Sequence, residues 1–104
     1  MFIMTNNKQQ VLSLIQNNKQ AFLAFGAMRV GLFGSFMRGE QADASDVDLL
    51  VEFLPGQKNY RNLLGTAGLA EKLMGREVDV LTPESISPNL IPYIEKEIEY
   101  VQIS

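Results

Sequence analysis

The chain has 104 residues, 46% apolar and 20% charged, a balance that suits a compact soluble fold and excludes wholesale disorder or a coiled-coil rod. Nine basic against twelve acidic residues leave a net charge of −3, which argues against tight, sequence-independent binding to a long nucleic acid, because that affinity comes from many phosphate contacts. With neither cysteine nor histidine, the chain lacks a thiolate and the commonest general base, so its chemistry rests on carboxylates, hydroxyls or metals.

Met1 to Lys8 opens with four apolar residues and then turns polar, unlike a signal peptide or a membrane span, so the expected location is cytoplasmic. Thr5 is the predicted N-cap of a first helix carrying Val11, Leu12, Leu14 and Ile15, which the polar run Gln16 to Gln20 interrupts before a short turn with Phe22, Leu23 and Phe25. Gly26 stops it, and Ala27 to Phe33 reads as a strand ending at Gly34-Ser35. Residues 47 to 53, Val-Asp-Leu-Leu-Val-Glu-Phe, are largely apolar on both alternating faces beyond Asp48, the pattern of a central strand. Pro55-Gly56 makes a turn. From Asn59 to Met74, residues Leu63, Leu64, Ala67, Ala70, Leu73 and Met74 form one helical stripe, with Gly75 at the C′ position. Arg76 to Leu81 reads as a third strand. Ser87-Pro88 then predicts an N-cap with proline at N1 for a last amphipathic helix lined by Leu90, Ile91, Ile94 and Ile98, running to the end of the chain. The expected architecture is α/β: one domain over residues 1–104, with a small mixed sheet of three to four strands flanked by helices.

The informative segment is Gly34-Ser35-Phe36-Met37-Arg38-Gly39-Glu40, followed by Ser45-Asp46-Val47-Asp48. Strand side chains repeat every second residue, so Asp46 and Asp48 are expected on one face, sharing a metal site at the start of their strand. Two carboxylates about 4 Å apart repel by roughly 4 kcal/mol at an effective dielectric near 20, so such a pair calls for a cation or a shared proton. Magnesium, held by one or two carboxylates plus substrate phosphates, meets that need. Asp79, in the apolar run Val78-Asp79-Val80-Leu81, is the expected third ligand, its cost of burial offset by the shared cation. Gly34 lets backbone approach a phosphate, the Ser35 hydroxyl and exposed amides donate to it, and Arg38 adds a charged fork. Glu40 stands where a Walker A loop requires lysine, so that motif is absent.

On these residues the chain resembles the minimal nucleotidyltransferase family of the polymerase-beta-like superfamily, whose pattern is a Gly-Ser loop, Arg-Gly, then Ser-Asp-x-Asp. Gly34, Ser35, Arg38, Gly39, Ser45, Asp46 and Asp48 match it. The resemblance extends through Asp79 and the tail from Pro88 to Val101. Met37 departs from it, standing where the family more often has a small residue, and this predicts a narrower or shifted pocket floor. The resemblance implies transfer of AMP from ATP, with two magnesium ions, to a tyrosine of a HEPN-type toxin, the chain acting as antitoxin. In that role Asp46, Asp48 and Asp79 are catalytic and metal-binding, and Gly34, Ser35 and Arg38 hold the nucleotide. The alternative is a binding module that silences its partner by occlusion.

Simpler readings compete at several positions. Arg38 also reads as a surface ion pair, and Arg61, Lys72 and Arg76 read as surface charges. Glu95-Lys96-Glu97 reads as a solvated helix face. Met28, Met74, Phe33 and Phe53 sit at core periodicity, and Tyr60, Tyr93 and Tyr100 read as half-buried packing rather than as acceptors of adenylate.

Overall fold

In the computed structural model, which describes residues 5–104, four strands and five helices alternate along the chain. Helices α1 (Lys8–Asn17) and α2 (Lys19–Ala24) lead into strand β1 (Ala27–Phe33), and a one-turn helix α3 (Ser35–Arg38) separates it from β2 (Val47–Phe53). Helix α4 (Tyr60–Met74), β3 (Val78–Leu81), a 3-10 turn (Pro83–Ser85), α5 (Ile91–Glu97) and β4 (Glu99–Gln102) complete the order. The sheet runs β3-β2-β1-β4. β1 pairs antiparallel with β2 and β4, whereas β2 and β3 are parallel, joined by the α4 crossover. The expected mixed sheet is therefore present, with β2 internal.

Alternation along the strands sorts residues onto two faces. Val30 and Leu32 of β1, Val47, Leu49 and Val51 of β2 and Val101 of β4 join Val11, Ile15, Phe22, Ala70 and Met74 in one buried core. The opposite face carries, in successive rows across the sheet, Asp79, Asp48 and Phe33, then Leu81, Leu50, Gly31 and Tyr100, then Glu52, Arg29 and Gln102. Helix α5 covers part of that second face. Ile91 and Ile94 close a cleft of about 230 Å³ over Leu50 and Tyr100, beside the Arg29–Glu52 ion pair.

Several expectations change. The cap of α1 is Asn7, whose side chain accepts from the Gln10 amide. Thr5 is instead buried, its amide and hydroxyl both donating to the Met74 carbonyl and tying the N-terminal segment to the end of α4. Within α4 the buried stripe uses Thr66, Ala70 and Met74, and Leu64 is exposed. Its end is as predicted, Gly75 adopting the left-handed conformation after the last turn, whereas Asn59, read as the start of the stripe, instead caps the first turn. The last helix starts at Ile91 rather than at Pro88, and it stops at Ile98, where the backbone turns extended. From Glu99 the chain continues as strand β4, not as more helix. Ile91, Ile94, Ile98 and Val101 fit a helical stripe, but Val101 and Ile103 also alternate. Pairing Glu99 to Gln102 along β1 satisfies backbone groups on the outer edge of β1 and buries Val101. Tyr60 and Tyr93 are exposed rather than half-buried, and Tyr100 lies under the Arg29 guanidinium, 3.7 Å from ring centre to charge. No helix among the described residues is long and apolar enough to cross a membrane.

Candidate functional site

The site grows from the end of β1. Gly34 has φ +81°, a conformation that L side chains rarely adopt, and a Cβ there would overlap the Asp48 carboxylate. Only glycine lets the loop lie this close to the acid on the neighbouring strand. Ser35 then opens α3, a turn of helix where the sequence predicts plain loop. The turn is fixed by Phe36, 1% exposed, and is closed by Gly39 in the left-handed region. Burying Phe36 turns Arg38 outward, half-exposed. Met37 packs against the core cluster, so the extra volume expected to narrow the pocket floor is absorbed in the hydrophobic layer.

Asp48 and Asp79 are direct partners in the parallel β2–β3 register, so their Cα atoms lie about 4.8 Å apart, one strand spacing. Burial pushes the Asp48 carboxyl above its usual range, with the charges of Asp79 and then Asp46 adding to the effect and Arg38 opposing it. Asp79 and Asp46 therefore both act on Asp48. The desolvation that the sequence suggests for Asp79 falls on Asp48, because β3 is the edge strand and Asp79 is exposed.

Asp46 lies one residue before β2, on the loop between α3 and that strand. Arg76, a surface charge by its sequence, holds this loop: its Nε donates to the Thr5 carbonyl and its Nη1 to the carbonyls of Asp43 (2.6 Å) and Ser45 (3.3 Å). Ser45 contributes through its hydroxyl, which accepts from the Ala42 amide at 2.8 Å. The strand start is pinned by the Val47 amide donating to the Glu77 carbonyl at 3.0 Å.

Glu97, a solvated helix position by its sequence, reaches back to the loop. Its Oε2 accepts from the Gly34 amide at 2.7 Å, and Arg38 Nη1 donates to both of its oxygens at 3.1 and 3.2 Å. Arg38 Nε donates to Glu40 at 2.8 Å. These two carboxylates, Glu40 first, raise the guanidinium's affinity for its proton. The surface ion pair expected of Arg38 is thus real, but one of its partners belongs to the loop's own scaffold. Nothing in the sequence signals it, because Glu97 lies 63 positions beyond Gly34.

Among the described residues, no three acidic side chains stand close enough to hold a metal ion on their own. The donor set nevertheless fits magnesium. A hard cation needs only one or two carboxylates when phosphate oxygens supply other ligands, and Asp48 with Asp79 in register beside it offers two.

Both the sequence and this geometry have counterparts among known proteins. The model of the family described as nucleotidyltransferase domain matches residues 13–101. The protein adenylyltransferase MntA of Thermococcus cleftensis is 32% identical over 90 residues, 85% of this chain and 88% of that protein. A candidate protein adenylyltransferase of Methanocaldococcus jannaschii is 46% identical over 68 residues, 65% of this chain and 72% of the relative. The solved structure of a candidate minimal nucleotidyltransferase superposes with a TM-score of 0.68 at 32% identity, covering 85% of this chain and 93% of that one. A toxin–antitoxin structure with AMP-PNP shares the fold alone, with a TM-score of 0.63 at 20% identity over 95% of this chain and 73% of its own.

Proposed function

Because the chain belongs to the nucleotidyltransferase domain family, we propose that it transfers AMP from ATP to a tyrosine hydroxyl of a HEPN-type toxin and so acts as that toxin's antitoxin. Its enzyme class is nucleotidyltransferase, of the protein adenylyltransferase kind. The observation that carries the proposal is the closeness of two features: a glycine loop so near Asp48 that no Cβ fits between them, and Asp79 in register with that same acid. A phosphate on the loop therefore sits beside the acids.

In this reading the Ser35 hydroxyl and amide donate to the triphosphate, and Arg38 adds positive charge. Asp46, Asp48 and Asp79 hold magnesium, which, when bound, neutralises the triphosphate and stabilises the attacking and leaving oxygens. The incoming tyrosine oxygen attacks the α-phosphorus. The bond from that phosphorus to the bridging oxygen of the β-phosphate breaks, and pyrophosphate leaves. Asp79, exposed on the edge strand, is the carboxylate best placed to take the hydroxyl proton. No histidine or cysteine is present to form a covalent intermediate, which supports direct transfer. The relative named protein adenylyltransferase MntA supports a protein acceptor.

The test is the intact mass of the cognate HEPN-type protein after incubation with this chain, ATP and magnesium. One adenylate increment is expected on a tyrosine, and Asp46→Ala or Asp48→Ala should lower its rate by at least about a hundredfold with the fold retained. Near-parent transfer by either variant would remove the acids from the mechanism.

A further inference from the structure

We propose that Glu97 is the positioning residue of the nucleotide site: from the far end of the chain it locks the Gly34 amide and the Arg38 guanidinium into the arrangement that receives a triphosphate. The inference rests on the nucleotide reading given above and assigns a part to the α5–β4 corner that the motif residues alone do not contain.

Glu97 is the fixed member of its contact. It is the last residue of α5, two positions before β4 begins, and β4 is hydrogen-bonded along β1 with Val101 and Ile103 buried. Gly31 allows the corner to sit this close, since a Cβ there would fall 2.5 Å from Ile98 Cδ1 and 2.9 Å from Tyr100 Cδ1. The Glu97 side chain is 23% exposed and that of Arg38 is 48% exposed. Arg38 stands on a one-turn helix and would otherwise sample many rotamers. A long cationic side chain that is already ordered loses less freedom when its ligand arrives.

The geometry favours support over competition. A carboxylate standing in for the whole phosphate would also take the Ser35 amide and hydroxyl at the start of α3. Glu97 instead takes the Gly34 amide and Arg38 Nη1, while Glu40 takes Nε. Among the described residues, the amide and hydroxyl of Ser35 and Arg38 Nη2 donate to no protein acceptor. Those donors remain available to a ligand. Glu97 also adds to the negative potential at Asp48, a charge that a magnesium-bound nucleotide compensates.

The experiment is calorimetric titration of a non-hydrolysable ATP analogue with magnesium into five chains: parent, Glu97→Ala, Glu97→Gln, Arg38→Ala and the Arg38→Ala/Glu97→Ala double variant. Glu97→Ala should weaken binding about three- to tenfold, the range for one long side chain left unordered. Glu97→Gln, which keeps an acceptor for the Gly34 amide but no charge for Arg38, should fall between it and the parent. The double variant should bind only a little more weakly than Arg38→Ala, by less than the full Glu97→Ala factor, because Glu97 acts largely through that arginine and otherwise only through the Gly34 amide. In steady-state turnover, Glu97→Ala should raise KM for ATP more than it lowers kcat. Equal or tighter binding by Glu97→Ala and Glu97→Gln would make Glu97 a competitor of phosphate, and multiplying effects in the double variant would make it independent of Arg38; either overturns the proposal. If the parent itself binds no analogue, the nucleotide reading fails as well, an outcome distinct from a parent that binds and a Glu97 variant that binds equally well.

Discussion

Asp48 carries a contradiction that a functional residue can tolerate and a structural one would not. Burial, with Asp79 and Asp46 adding to it, raises its carboxyl in the folded chain. A carboxyl raised by folding contributes stability that is complete below its unfolded value and is lost as pH rises through the folded value. Near neutral pH the ionised acid is therefore a net cost to the metal-free fold. Asp48→Asn, similar in shape and uncharged, is expected to melt above the parent at pH 7 in chelator, with the gap closing as the medium is acidified. Magnesium should then stabilise the parent more than the variant. Thermal melts of both chains from about pH 4 to pH 8, with and without magnesium, check both signs; parallel curves would mean that Asp48 is not strained by its neighbours. The opposite outcome is expected at Gly34. Gly34→Ala forces a side chain into a left-handed backbone and onto the Asp48 carboxylate, so it should cost about 1–3 kcal/mol and abolish nucleotide binding, as read by denaturant melts and the same titration.

At the scale of elements, the parts legible in the sequence are those whose signal is local. The bounds of β1 and β2, the glycine stop of α4, and the pairing of a Gly-Ser turn with Asp46 and Asp48 follow from periodicity and spacing within a few residues. The parts that stay hidden depend on distant partners. Phe36 makes a turn of helix out of a glycine-flanked loop because it finds a buried place, and Glu99 to Gln102 become a strand because β1 has an open edge. Arg76 and Glu97 look like surface charges because the groups they hold, the carbonyls of Asp43 and Ser45 and the amide of Gly34, lie 33, 31 and 63 positions away. Arg76 gives this distinction a measurable form. Arg76→Met keeps a long stem for packing near Phe36, over whose ring the guanidinium lies 5.1 Å from the centre, but it removes the donors that hold the Asp46 loop. It should destabilise the fold by about 1–3 kcal/mol and reduce transfer several-fold without touching the nucleotide. Arg76→Lys should restore little, since one ammonium cannot span the three carbonyls that the fork reaches. Full activity in Arg76→Met would show that the loop holds Asp46 unaided.

On the scale of the whole molecule, the chain is a flattened body, 37 × 36 × 20 Å along its principal axes, with α1, α2 and α4 sharing one buried core and the acids on the other face of the sheet. A protein acceptor therefore has to approach from the acid-bearing face, near the edge strand β3, for its hydroxyl to come into line with a nucleotide on the Gly34 loop. If the proposed reading holds, catalysis and contact are expected to use different parts of this surface. The acids form a small charged patch, whereas exposed apolar side chains lie elsewhere, Tyr60 and Leu64 at the start of α4 and Leu90 and Tyr93 at the start of α5. Tyrosine and leucine side chains of this kind gain most from being covered, while solvated carboxylates gain little. Removing the acids should therefore spare assembly. Asp46→Ala is expected to bind the HEPN-type partner within about threefold of the parent, an energy difference under 1 kcal/mol, yet to leave that partner unmodified and toxic. Binding is checked by calorimetry, and toxicity by growth of cells carrying both proteins. If the variant binds and growth is rescued all the same, contact alone silences the partner and the domain works by occlusion. If it neither binds nor rescues, the acids belong to the interface, and chemistry and contact share one surface instead of two.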